Sequence, residues 1–380
     1  MKIGTKVIHA GIEADPSTGA VMTPIYQTST YKQDEPGKHK GYEYARSKNP
    51  TRTALEANLA AIENGKFGLC FGSGMAAMDA VIRLLNPGQN IVSTQDVYGG
   101  SYRQITKVHS RYGIEGRFVD MTKLDTIRTA IDNNTGLLWI ETPTNPMLGI
   151  IDIQAICRLA QEKNILVCVD NTFASPYLQN PLDLGADIVM HSCTKYLGGH
   201  SDVVMGAVIV RDKMLSDKLY FLQNAIGAIP GPQDCFLMLR GIKTLHLRVQ
   251  RACENALSIA EMLREHPRVN KVYYPGFEDH PNHSIAKKQM RMYGAMISFD
   301  LVLDQQEEAF AIMKKSKLFT TAESLGGVES LIGHPATMTH AALPREDRLK
   351  IGLSDSLIRL SVGIEDIEDL LTDLKEALKP

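Results

Sequence analysis

The chain has few cysteines, and they are badly placed for binding a metal. Cys70, Cys157, Cys168, Cys193, Cys235 and Cys253 form no C-x-x-C pair and no ligand-type spacing. That argues against a zinc knuckle or a disulfide framework and leaves six reduced, buried, small hydrophobes. Charge of one sign is also missing: 41 basic side chains against 43 acidic ones give a net charge of -2. Such a balance offers no electrostatic footprint for nucleic acid or an anionic membrane. No apolar run approaches the roughly 18 residues of a membrane span. The opening MKIGTKVIHAGIEADP has no apolar core of a signal peptide, so a cytoplasmic protein is expected. Internal repeats, low-complexity tracts and the G-x-G-x-x-G dinucleotide fingerprint are absent as well. His280 and His283 in DHPNH lack an evident third ligand, so the pair is expected to be a solvated turn with no metal.

What is present is alternation. The 380 residues, 44% of them hydrophobic, suffice for two domains with sizeable cores. TALEANLAAIENG places Leu55, Leu59 and Ile62 on one helical face, with Gly65 as the expected C-cap. SGMAAMDAVIRLLNPG repeats the pattern before a Pro-Gly stop. Short apolar runs at 90–94, 116–120, 137–142, 165–172, 186–192 and 206–211 read as strands, separated by helix-sized segments such as 123–133 and 152–164. Buried strands alternating with helices predict an α/β fold with a largely parallel, doubly covered sheet, whose ligand lies at the carboxyl ends of the strands. After IPGPQD the rhythm changes. One long helix is expected over 234–265, then strands at 269–275, 295–303 and 356–363, a helix near 305–315, and a closing amphipathic helix carrying Ile367, Leu370, Leu371, Leu374 and Leu378. The expected division is an extended arm over 1–45, an α/β domain over 46–232 and a smaller α+β domain over 233–380.

The chemistry sits on this frame. Asp170 ends the apolar run ILVCVD, where an isolated carboxylate needs a cation or donors. Lys195 follows the next run, in HSCTKYLGGHSDVVMG, and emerges at the same sheet edge if the two strands are neighbours. An aldehyde cofactor with a basic ring nitrogen uses both groups, the lysine as Schiff base and the aspartate as ring partner, which points to pyridoxal phosphate (PLP). Its phosphate needs a cradle. Gly-Ser-Gly in LCFGSGMA opens the helix of Met78 and Val81, and Ser192 and Thr194 add hydroxyls beside Lys195.

The segments YEYARSKNPTR (42–52), FGSGMAA (71–77), DVYGG (96–100), ETPTNP (141–146), VDNTFASP (169–176), HSCTKYLGGHSDVVMG (191–206), RGIKTL (240–245), ESLGGVESL (323–331) and IRLSVGIED (358–366) resemble, in this order, the Cys/Met-metabolism family of PLP enzymes. The resemblance implies the fold of type I PLP-dependent transferases, with the large α/β domain binding the cofactor. It implies Lys195 as Schiff-base lysine and proton carrier, Asp170 as partner of the pyridine nitrogen, and Tyr98 stacked on the ring as proton donor to a leaving thiolate. Gly74 and Met75 would bind phosphate through backbone N–H groups, with Ser192 and Thr194 supplying oxygens. Tyr44 and Arg46 would reach the phosphate of a neighbouring subunit, which gives the arm a purpose and implies a homotetramer of two active-site dimers. Arg359 would grip a substrate α-carboxylate. Asn145 would contact ring and carboxylate, Ser324 would help place lysine and substrate, and Glu323 would meet a distal ammonium. Among the family's activities the likeness implies cystathionine γ-cleavage first, with γ-synthesis, β-cleavage and methionine γ-cleavage as alternatives; Gly99 and Gly100 stand where methionine-cleaving members typically carry a cysteine.

Overall fold

The computed structural model describes residues 1–341 and 344–380. The larger of its two sheets contains β1 (Phe67–Phe71), β2 (Asn90–Thr94), β3 (Glu115–Val119), β4 (Thr135–Glu141), β5 (Leu166–Asp170), β6 (Ile188–Ser192) and β7 (Gly206–Val210), in the spatial order β1-β7-β6-β5-β4-β2-β3. Only β7 runs against its neighbours. Every residue of β2 and β7 is buried, as a sheet covered by helices on both faces requires. One covering helix, Ile153–Gln161, is started by the Asp152 carboxylate, which accepts from the Ala155 N–H at 2.9 Å. It buries Ile153, Ile156 and Leu159 in a cluster with Val167 and Val169 of β5. Each such side chain contributes about 1.5–3 kcal/mol.

The second sheet comprises β8 (Val269–Tyr273), β9 (Met296–Leu301), β10 (Thr320–Thr321), β11 (Leu331–Gly333) and β12 (Ile358–Ser361), ordered β10-β11-β12-β9-β8. It is antiparallel except where β10 meets β11. The fold is therefore α/β with a mostly parallel large sheet and a smaller, separate antiparallel one. Among the described residues no helix is long and apolar enough to cross a membrane.

Four local expectations need correction. The long helix expected over 234–265 is two helices, Pro232–Ile242 and Leu245–Glu265. The break occurs where the Gly241 carbonyl is taken by the Arg248 guanidinium at 2.8 Å and the Thr244 hydroxyl at 3.2 Å. A second constraint holds there, because a Cβ on Gly241 would lie 2.4 Å from the Gly198 carbonyl. The left-handed residue ending Pro50–Ile62 is Asn64, at φ 56°, rather than Gly65. Gly65 is instead required by closeness, its Cβ falling 2.3 Å from Ile209. The first 45 residues are not wholly extended: Ile3–His9 is a helix whose Val7 is buried, and the Ala10 carbonyl accepts from Asn58 at 2.7 Å. Last, His280 and His283 are half-buried rather than solvated. His283 donates to the Pro275 carbonyl and packs its ring on Tyr293 as it opens the helix His283–Gln289.

Candidate active site

The strands β4, β5 and β6 are parallel, so their last residues share one edge, and Glu141 is in register with Asp170. Above that edge lies a cavity of about 340 Å³, walled on its far side by Glu323, Ser324, Leu325 and Arg359. This is the position expected for a ligand on an open α/β sheet. Lys195, Asp170, Tyr98, Gly74, Met75, Ser192, Thr194, Asn145, Arg359, Ser324 and Glu323 all line it. Tyr44 and Arg46 do not. Tyr44 is 46% exposed on the surface, and Arg46 donates to the Asn224 carbonyl at 2.7 Å.

Lys195 leaves β6 through a turn closed by its own N–H on the Ser192 carbonyl. Its Nζ donates to the Ser324 hydroxyl at 2.7 Å. Burial and then the Arg359 charge pull its pKa down to about 8, against a smaller opposing pull from Glu323. A substantial share of this amine is thus neutral near physiological pH and able to act as nucleophile or base. Ser324 is held at φ 112°, a backbone conformation rare outside glycine, which aims it at the cavity from the small-sheet side. Arg359, on β12, is 5% exposed; its Nη1 donates to Asn145 Oδ1 at 2.8 Å and its Nη2 to the Ser324 carbonyl at 3.0 Å. Burial lowers its pKa to about 10, which leaves it cationic.

Asp170 Oδ1 accepts from the N–H and the hydroxyl of Thr172. Burial pushes its pKa above the usual carboxylate value, despite those two donors. An acid under that pressure gains most from a cationic N–H in the cavity. The helix Gly74–Ile82 points its first turn at the same space. Ser73 caps it by accepting from the Ala76 N–H at 3.1 Å, while Gly74 and Met75, as first-turn residues, have no intrahelical acceptor. A Cβ on Gly74 would press to 3.0 Å from Ser192 Cβ, so glycine keeps helix start and serine close enough to share one anion. Tyr98 is 45% exposed at the cavity mouth. Its ring lies back over Gly100, where any Cβ would come within 2.4 Å of it.

Among the cavity residues that escaped the sequence reading are Glu141, Thr172 and Thr339. Glu141 carried the same signal as Asp170, a carboxylate closing an apolar strand. Thr172 and Thr339 carried none, because a threonine in a turn is ordinary.

The donor set fits one ligand: an anion cradle of backbone N–H and hydroxyl groups, a carboxylate needing a cation, a lysine of lowered pKa and a flat aromatic at the mouth. Fold and cavity together define a PLP-dependent enzyme acting on an amino acid. Comparison with known proteins agrees. The profile of the Cys/Met metabolism PLP-dependent enzymes matches residues 4–379, and the chain belongs to that family. It is 55% identical to a cystathionine beta-lyase of Coxiella burnetii over 99% of this chain and 97% of that one. It is 54% identical to a cystathionine gamma-lyase of Bacillus subtilis over all of both. The crystal structure of cystathionine gamma-lyase from Lactobacillus plantarum complexed with L-serine superposes with a TM-score of 0.96 at 49% identity, covering 99% of this chain and 98% of that one.

Proposed function

We propose that the protein cleaves L-cystathionine by α,γ-elimination, taking up water and giving L-cysteine, 2-oxobutyrate and ammonia. The observation that carries this reading is the pairing of charges at the cavity. Arg359 suits an α-carboxylate, and the exposed Glu323 on the same wall suits the distal ammonium that cystathionine has and methionine lacks. PLP, when bound, supplies the electron sink for negative charge developing beside the substrate amino group. The chain's own groups do the rest. Arg359 grips the α-carboxylate with Asn145 beside it. Lys195, handed between Ser324 and the substrate, takes the proton at Cα and, once it has given that proton up, one at Cβ. Tyr98 delivers a proton to the sulfur as the bond to Cγ breaks. Asp170 holds the ring nitrogen protonated, and Gly74, Met75, Ser192 and Thr194 hold the phosphate.

Among the described residues the only cations lining the cavity are Lys195 and Arg359, so its phosphate cradle has neutral donors alone. That deficit supports Tyr44 and Arg46 acting in a neighbouring copy's cradle, and with it a homotetramer built from active-site dimers. Domain limits at 45 and 232 follow the same reading.

β-Cleavage is favoured by the likeness to the Coxiella protein and uses the same residues up to the choice of bond. Product identity decides. With cystathionine and PLP, cysteine with 2-oxobutyrate supports the proposal, whereas homocysteine with pyruvate replaces it with β-cleavage. O-acylhomoserine plus cysteine is run in parallel; cystathionine formed there, with little cleavage in the first tube, replaces it with γ-synthesis.

A further inference from the structure

We propose that Glu141 is a positioning residue that couples Tyr98 to Asp170, holding the first by its backbone and setting the proton affinity of the second. The inference rests on the reading of Tyr98 as ring-stacking group and Asp170 as partner of the ring nitrogen.

Glu141 ends β4 and is 6% exposed. Its Oε2 accepts from the Tyr98 N–H at 2.8 Å, and its Oε1 from the Ser101 hydroxyl at 3.0 Å and the Trp139 Nε1–H at 3.3 Å. Three donors converge on one buried carboxyl group, and two of them lie on the turn that carries Tyr98. That turn has no side chains of its own to wedge it: Gly99 and Gly100 follow Tyr98, and the Thr339 carbonyl comes to 3.0 Å from where a Gly99 Cβ would be. The bond from the Tyr98 N–H to Glu141, with the Tyr102 N–H on the Tyr98 carbonyl, therefore fixes the backbone from which the ring projects.

The second half is electrostatic. Glu141 and Asp170 are register partners on adjacent parallel strands, so the two carboxylates crowd each other. Burial, then Asp170, push Glu141 up to about 8. The other titratable groups near the pair are Cys168 on β5, whose thiol burial keeps neutral, His191 on β6, which draws Asp170 the opposite way, and Tyr98 and Lys195 in the same cavity. Where Glu141 is ionised, above about pH 8, its charge makes Asp170 a better base, and a better base holds a protonated ring nitrogen more firmly; below that pH Glu141 is neutral and acts through its hydrogen bonds.

Trp139, the chain's one tryptophan, is fully buried and bonded to Glu141, so it reports this carboxyl group directly. In the cofactor-stripped full chain, Trp139 emission is expected to change with pH around a midpoint near 8, to lose that change in Glu141→Gln, and to shift its midpoint to lower pH in Asp170→Asn. A flat wild-type titration, or an unmoved midpoint in Asp170→Asn, overturns the coupling. In the holoenzyme, Glu141→Gln offers one amide oxygen to donors now served by two, so an N–H is left unpaired. The expected result is a PLP Kd raised roughly tenfold and kcat lowered roughly tenfold or more, with KM for cystathionine within about twofold. Ser101→Ala keeps the bond to Tyr98 and is expected to stay within about threefold on all three. Wild-type Kd and kcat in Glu141→Gln overturn the positioning role. The emission and PLP-binding arms need no turnover, so they decide the inference even if the substrate is not cystathionine.

Discussion

Replacing Arg359 by alanine tests the substrate end of the site most directly. Its guanidinium is buried, its Nη1 and Nη2 are fixed by Asn145 and the Ser324 carbonyl, and both of those acceptors are neutral. The cation is therefore available to a carboxylate arriving in the cavity. Two charge-assisted hydrogen bonds contribute about 2 kcal/mol each, or about 4 kcal/mol together. At about 1.4 kcal/mol per decade this is roughly a thousandfold in kcat/KM. The grip is made before the chemistry and persists through it, so most of the loss should fall on KM. Lysine at this position keeps the charge but not the planar fork, so Arg359→Lys should lose roughly thirtyfold. The assay is keto-acid formation across a range of cystathionine concentrations. A thermal melt runs alongside, because removing the arginine leaves the buried Asn145 oxygen unpaired at about 1–3 kcal/mol, and the half-buried Ser324 carbonyl without its partner at a smaller cost. An Arg359→Ala enzyme that melts like wild type and keeps its KM would show that the carboxylate is held elsewhere.

Two further outcomes are expected. Lys195→Ala and Arg46→Ala homo-oligomers should each be nearly inactive. Dissociated and reassembled together they should regain activity, because a hybrid contains one site with Lys195 from one copy and Arg46 from the other; no recovery in verified hybrids would return Arg46 to its own subunit. In cofactor-free protein the amine of Lys195 sheds its proton near pH 8 when folded but near 10.5 when unfolded. The unfolded chain therefore binds more protons across that window, and stability rises with pH there by up to about 1.4 kcal/mol per unit. Lys195→Met should flatten the rise, as read by urea unfolding at pH 8 and pH 10; parallel curves for the two proteins would mean the lysine is not depressed.

The large sheet was legible because its strands are buried on both faces and so read as uninterrupted apolar runs: ILVCVD and ADIVM became β5 and β6 nearly to the residue. The pieces that went unread were those whose cause lies far away in the chain. The break at Lys243–Thr244 depends on Gly198, which no window around 243 contains, as well as on the nearby Arg248 turning back onto the Gly241 carbonyl. β10 and β11 are two and three residues long and exist through the pairing of β11 with β12. The helix Ile3–His9 is too short to stand alone and is fixed by packing Val7 against Pro50–Ile62.

The site divides along the same line. Residue types and local order were enough to pick out Lys195, Asp170 and the Gly-Ser-Gly helix start, because each is a local conflict with its surroundings: a cation in a glycine turn, a charge ending an apolar strand, a helix begun without a side chain. Their family motifs lie along the chain in the same way. Convergence was decided by tertiary structure alone. The register of β4 on β5 sets Glu141 beside Asp170, and the docking of the small sheet carries Arg359 and Ser324, more than 120 residues beyond Lys195, into reach of it. Neighbours that distant in sequence meet only through the packing of two sheets, and that packing also lowers the pKa of Lys195 by removing the water around it.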